Sequence, residues 1–338
     1  MKKTLLFIFS LLTLSLLAQD IKFDVLSNAG GRISNVNSTS FTFGQPFVGS
    51  ITNGTNSIRQ GFQQPSFMMS VPGCMDTLAL NYDSLATIND SSCTYQMTYV
   101  PDDNFEQALI NLGYDDVLDD SVITAHINTV LYLNVHTQNI ADLTGIEDFT
   151  ALTHLLCGYN QLTSLDVSQN IALTELRCMH NQLTSLDLVN NTVLIDLQFQ
   201  VNQLTTLDVS NNTALTYLYC YSNQLTSLDV SQNTALIDLN CHINQITSLD
   251  VSANTALINL YCLLNQLTSL DVSGATALTT LWCWDNQLTS LDVSQNTALY
   301  RLNCNSNQLT SLDVSQNTAL TYLYCNSNQL TSLDVRNG

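Results

Sequence analysis

One hydrophobic pattern governs the second half of the chain. Leucine stands at 152, 155, 162 and 165, with Cys157 and Val167 in the remaining apolar slots and Asn160 fixed between them. Shifted by 21 residues, the pattern begins again at Leu173, Leu194, Leu215, Leu236, Leu257, Leu278, Leu299 and Leu320, nine copies without an insertion. The short Leu-x-Cys stretch alternates in and out, as a strand does. A single copy is too small to bury its own leucines, so successive copies must stack as parallel strands ~4.8 Å apart, spanning ~45 Å over the array. The set expected to face inward in each coil is Leu152, Leu155, Cys157, Leu162, Leu165, Val167 and Ala172, or their equivalents. Each fully buried large side chain stabilises the coil by ~1.5–3 kcal/mol, most of which chain ordering offsets.

Upstream the pattern changes. Val130 to Ala151 reads as a divergent first repeat, so the repeat region is 130–338, with a last copy cut short. Residues 98–129 read as a helical cap. Pro101-Asp-Asp-Asn-Phe-Glu106 looks like a helix start with Asp103 and Glu106 spaced as a capping box. Phe105, Leu109 and Leu112 should share one face, and Gly113 should end the helix. Such a helix covers an open coil end that would otherwise expose apolar surface. Residues 67–97 form a Cys-bounded acidic segment with Asp76, Asp83 and Asp90. Residues 19–66 are rich in Ser, Thr, Asn and Gly, with alternation such as Ser40-Phe-Thr-Phe43, and read as short strands and turns.

The first eighteen residues set the compartment. Lys2 and Lys3 precede the apolar run Leu5 to Leu17, and Ala18 offers a small residue for cleavage, the form of a secretory signal peptide. The run is short for a bilayer span, which needs ~20 residues, and no other segment approaches that length. The working expectation is a secreted or cell-surface protein without a transmembrane segment.

Charge narrows the partners. The chain has 28 Asp+Glu against 8 Lys+Arg, a net charge of −20. Nucleic acid is excluded as a partner, because the cations that would displace phosphate counterions are missing. Anionic membranes are disfavoured too. Neutral or basic surfaces, sugars and divalent cations remain.

Two polar columns repeat with the coils. Asn160 and its equivalents to Asn328 follow each strand, and their amides are expected to satisfy backbone groups where the chain turns. Asp166 and its equivalents to Asp334 lie between inward residues and should face solvent on the return side. Like charges ~5 Å apart repel by ~0.8 kcal/mol per pair in water, which solvent and salt make tolerable. Two readings stand: a solvated acidic stripe, or a weak calcium-binding one. No cofactor is otherwise expected.

Eight of the ten cysteines occupy the repeat slot: Cys157, Cys178, Cys220, Cys241, Cys262, Cys283, Cys304 and Cys325. Phe199 fills it in the third copy, which marks the slot as core and the thiols as small hydrophobes rather than zinc ligands. Cys74 and Cys93 lie outside the repeat and should pair in an oxidising compartment.

The return side is nearly constant, whereas the outward strand positions vary. They carry Tyr217, Tyr219, Tyr221, His242, Tyr261, Trp282, Trp284, Arg301, Tyr322 and Tyr324, with Glu175, Arg177 and Asp238. Tyr and Trp offer large contact area and a polar tip, which favours a binding surface over the simple strand propensity of aromatics. No GxSxG, HExxH or phosphate-binding loop is present, and the five histidines are scattered. Catalytic residues are not expected.

The core LxxLxCxxNxL resembles the leucine-rich-repeat pattern, in particular that of bacterial internalin-like proteins. Tyr99-Val-Pro-Asp-Asp-Asn-Phe-Glu resembles the cap that precedes such repeats, and Gly73-Cys-Met-Asp to Asp90-Ser-Ser-Cys93 resembles a Cys-bounded motif of secreted bacterial proteins. Gly44-Gln-Pro and Gln60-Gly-Phe-Gln-Gln-Pro65 are similar to segments of type IX secretion cargo. The resemblance implies a solenoid with a parallel sheet on its concave face, an irregular or short-strand convex side, a helical N-terminal cap and a small β-rich N-terminal segment. It also implies export and surface work. Such cargo ends in a sorting domain that this sequence lacks, so the chain is expected to be a fragment of a longer protein. Its expected function is recognition of an extracellular protein or glycan through the concave aromatic face. The alternative is a structural or adhesive matrix component assembling through its acidic surface.

Overall fold

The structure, a computed structural model, describes residues 70–335 and the backbone of 51–53 and 56–58. The expected leader at 1–18 lies outside the described residues, as does most of the strand-and-turn segment at 19–66. Within the latter, Ile51–Asn53 pairs antiparallel with Asn56–Ile58.

From residue 130 onward the chain winds as a solenoid. Its ten three-residue strands, from Tyr132–Asn134 to Tyr322–Tyr324, form one parallel sheet in sequence order. Every strand has a leucine at its centre, paired in register with the next: Leu133 with Leu155, Leu155 with Leu176, and so on to Leu302 with Leu323. Each central leucine from Leu133 to Leu302 is fully buried. The ladder extends past the strand into the sulfur slot, where Cys157 N donates to Arg177 O at 2.9 Å and Cys178 N to Gln198 O at 2.8 Å. The return side is mostly irregular, with short parallel pairs at Ser248–Asp250 with Ser269–Asp271 and at Ser311–Asp313 with Ser332–Asp334.

The asparagine column works as its placement implies. Asn181 Nδ2 donates to Cys157 O and Cys178 O at 3.1 and 3.0 Å, and its Oδ1 accepts from Leu162 N at 3.0 Å. One amide thus closes the turn of its own coil and ties it to the coil before.

A second buried column was not anticipated. Ala172, expected in the core, is only half-buried, and Ala214 and Ala298 are exposed. The core at that turn is filled by Asn170, two residues earlier, which is 0% exposed. Its Nδ2 donates to Ile146 O at 2.8 Å and Phe149 O at 3.1 Å, bonds that make burial of an amide tolerable. Asn191, Asn212, Asn233, Asn254, Asn296 and Asn317 repeat the arrangement. Ala275 interrupts it, and there the chain closes in: a Cβ on Gly274 would sit 1.7 Å from Ser252 O.

The cap differs in detail from its expectation. The helix is Asp103–Leu112, but its N-cap is Asp102 rather than Asp103. Asp102 Oδ1 accepts from Asn104 N and Phe105 N at 2.9 and 3.0 Å. Its Oδ2 accepts from Ala141 N and Asp142 N at 2.7 and 3.0 Å, so one carboxylate joins the helix start to the first coil. Glu106 is buried and does not close a capping box; its Oε1 accepts from Asp119 N and Ser121 N at 2.9 and 3.0 Å. Phe105 and Leu109 are fully buried, but Leu112 is 45% exposed and Ala108 takes the third place on the apolar face. Gly113, at φ 80°, ends the helix in the left-handed conformation that a glycine adopts without strain.

In the Cys-bounded segment, Cys74 and Cys93 form a disulfide. The acids there close turns: Asp76 accepts from Leu78 N and Tyr95 OH, Asp83 from Leu85 N and Asp90 from Ser92 N.

Candidate functional site: the outward face of the sheet

Because each strand buries its central leucine, the residues on either side face outward, and the parallel register stacks them into columns. Before the leucine stand Tyr132, His154, Glu175, Asp196, Tyr217, Asp238, Asn259, Thr280, Arg301 and Tyr322. After it come Arg177, Gln198, Tyr219, Asn240, Tyr261, Trp282, Asn303 and Tyr324. Tyr221, His242 and Trp284 follow the cysteine slot. Trp282 and Trp284 therefore flank Cys283 but belong to different columns. Tyr217, Trp282, Arg301, Tyr322 and Tyr324 are exposed, whereas Tyr219, Tyr221, His242, Tyr261 and Trp284 are half-buried.

Neighbouring coils bring several of these together. Tyr221 and His242 stack at 4.3 Å between centroids. Tyr261 meets Trp282 edge to face at 5.3 Å, planes 89° apart. The Arg301 guanidinium lies over Tyr322 at 5.2 Å from the ring centroid and over Tyr300 at 5.6 Å. Tyr217 and Tyr219 stand three strands from Trp282, so the ten residues form a strip rather than one cluster.

The other end of the face is ionic. Arg177 is held by Glu175 at 2.8 Å and Asp196 at 3.1 Å, and His154 approaches Glu175 at 3.9 Å. Thr153 Oγ1 lies 2.8 Å from both His154 Nδ1 and Leu131 O, which ties this end of the face to the preceding coil.

Burial shifts several protons. It lowers His242, favouring the neutral ring. It raises the half-buried Asp238 carboxyl, against the hydrogen bond from Asn259 Nδ2. The Tyr219 phenol is pushed up to about 12, by burial first and then by Asp238. Burial also raises the Tyr261 phenol, so at neutral pH the Tyr219 and Tyr261 tips are uncharged donors and acceptors.

Residues that sequence reasoning passed over also lie here. Tyr300 sits where other coils carry Thr or Ile, and that departure was its signal. Tyr159 stacks on His180 at 4.1 Å and meets His136 at 4.9 Å. Ile243 and Leu264, 45% and 36% exposed, sit at the turn after the strand with φ of 50° and 53°.

The return-side aspartates act locally. Asp166, Asp208, Asp229, Asp271 and Asp292 each accept from the backbone N–H two residues on, which holds their carboxyls below the usual range. Among the described residues, no group of three or more His, Cys, Asp or Glu is placed to hold a metal ion. No helix there is long and apolar enough to cross a membrane.

The cysteine column is core. Cys157 to Cys304 are fully buried, as is Phe199, and Cys325 is partly so. Burial pushes the Cys178 and Cys241 thiols up to about 12.

The chain matches no protein-family model. It is similar to internalin J of Listeria monocytogenes, at 47% identity over 72 residues, 21% of this chain and 8% of that protein. Among solved structures it is similar to the functional domain of InlJ from L. monocytogenes, described as including a cysteine ladder. That match has 38% identity and a TM-score of 0.57, and covers 71% of this chain and 61% of the other. A leucine-rich-repeat protein of Leptospira interrogans is similar at 25% identity and a TM-score of 0.55, covering 63% of this chain and 62% of that one. The chain spans less than two thirds of each of these relatives. The ten-stranded coil array, with its leucine centres and cysteine column, is that of a leucine-rich-repeat solenoid.

Proposed function

We propose that the chain is an exported, internalin-like binding module that engages an extracellular protein or glycan through the outward face of its sheet. The observation that carries this reading is the division of labour between the two sides. The return side repeats one sequence whose asparagine amides and several of whose aspartate oxygens bond to the backbone of its turns. The sheet face varies from coil to coil and sets tyrosine, tryptophan and histidine in mutual contact. Such rings combine large contact area with low loss of side-chain freedom on binding. Export is supported by the leader-like residues 1–18 and by the Cys74–Cys93 disulfide. Cation-driven assembly through the aspartate column has less support, because one oxygen of each of several carboxylates already caps a turn.

Protein and glycan arrays probed with the full chain test the reading. Binding should fall about tenfold or more for Trp282→Ala and Trp284→Ala, as expected of aromatic anchors. Binding that survives both substitutions, or arrays without a hit, would overturn it.

A further inference from the structure

We propose that Arg301 is the charged reading position of the sheet face, and that it receives a single aspartate or glutamate carboxylate from a partner protein whose docking surface is otherwise neutral or basic. The proposal rests on the docking role of this face.

The described residues contain two cationic side chains of the Lys/Arg type, Arg177 and Arg301. Arg177 is neutralised within the protein by Glu175 and Asp196. Among the described residues Arg301 has no carboxylate partner and no side-chain hydrogen bond; it is held by the rings of Tyr300 and Tyr322. In its own column its neighbours are Thr280 and Tyr322. The nearest carboxylate of that column, Asp238, is three strands away, ~14 Å at the usual strand spacing, and is bonded by Asn259. Aromatic faces stabilise a cation and fix its position, but they do not supply the in-plane oxygen pair that a guanidinium fork matches. The site is thus positioned yet chemically incomplete.

The rest of the surface decides what completes it. With a net charge of −20, and with Glu175, Asp196, Asp238 and Asp285 on or beside the same face, a polyanion is repelled. One carboxylate on a neutral or basic surface is not. A protein fits better than a sugar at this position because the two rings beside Arg301, Tyr300 and Tyr322, each already turn a face to its guanidinium, as Tyr221 does to His242. The exposed aliphatics Ile243 and Leu264 beside them suit protein side chains. Physically, Arg301 removes a degeneracy. Coils of nearly one shape would let a partner slip by one strand spacing, and a single unmatched charge makes one register better than the others.

The test is selection of short random peptides on the full chain, wild type and Arg301→Gln, Arg301→Lys and Arg301→Glu, with folding of each variant checked by its thermal melt. Wild-type peptides should share one Asp or Glu whose change to Asn or Gln weakens binding about tenfold, with no such effect on Arg301→Gln. Arg301→Glu should instead select Lys or Arg at that position, and Arg301→Lys should retain the acid more weakly. Peptides that need Trp282 but carry no such acid would overturn the Arg301 assignment and leave the docking reading intact. Peptides indifferent to Trp282→Ala, or no enrichment at all, would overturn the docking reading. A uronate-bearing glycan bound through Arg301, with no acidic peptide selected, would overturn the choice of a protein partner.

Discussion

Tyr221 and His242 lie on successive coils with their rings stacked 4.3 Å apart and 11° from parallel. Burial lowers the His242 pKa, and Nδ1 is engaged with Asn240 Oδ1. The unfolded chain therefore binds the proton more readily than the folded one, and stability should fall as pH drops through the unfolded value of about 6.5. Urea midpoints measured on either side of that value, for wild type and His242→Gln, check this. The wild-type advantage should shrink on the acid side, and a difference that does not change with pH counts against it.

Asn286 joins two coils through four bonds: Nδ2 donates to Cys262 O, Cys283 O and Trp284 O, and Oδ1 accepts from Leu267 N. Truncation strands buried backbone groups at a cost of ~1–3 kcal/mol each where water cannot enter. Asn286→Ala should therefore destabilise by about 2–4 kcal/mol, read from denaturant midpoints. A loss near that of an exposed position would show that solvent replaces the amide.

Cys241 is fully buried, with its thiol pushed up to about 12. Thiol reagents at neutral pH should leave it and its buried column neighbours unmodified until denaturant is added. Cys241→Ser should cost about 1–3 kcal/mol by burying a hydroxyl without an arranged partner, and Cys241→Ala should cost less. Ready labelling of the folded chain at Cys241, read by mass spectrometry, would contradict a packed core slot.

Ile243 holds a β-branched side chain at φ 50°, where asparagine is better tolerated, and is 45% exposed. Ile243→Asn should stabilise the chain by about 0.5–1 kcal/mol while weakening partner binding. A variant that is both less stable and equally active would show that neither strain nor contact resides there.

The coil count, the inward leucines and the cysteine core were legible because the period runs uninterrupted and Phe199 replaces a cysteine without disturbing it. The misreadings came where one residue type serves two roles. Ala172 looks like core, yet the turn buries the Asn170 amide instead, because Ile146 O and Phe149 O need a donor. Capping-box spacing to Glu106 favours Asp103, but Glu106 is drawn to Asp119 N and Ser121 N, and Asp102 caps the helix while also binding the distant Ala141 and Asp142 N–H groups. The left-handed turn positions were invisible because Tyr159, Val201 and Leu264 occupy them without a glycine. Of the candidate site, the columns could be read from the period. The partners within them could not, since Tyr261 meets Trp282 and Arg301 meets Tyr300 through side-chain reach that spacing does not encode.

The partner offsets of the asparagine columns carry an evolutionary consequence. Asn202 binds Leu183 N and Cys178 O, and Asn223 repeats both offsets with Leu204 N and Phe199 O. Removing or duplicating one whole 21-residue period exchanges each partner for its counterpart and leaves every bond with a donor and an acceptor. The first coil is one residue longer, with Leu133 paired to Leu155, and there Asn160 keeps both bonds at offsets one larger, to Ile140 N and Val135 O. Unequal recombination within such a gene therefore keeps every asparagine bond when it exchanges whole 21-residue coils, and the molecule can lengthen its sheet face by counting rather than by redesign.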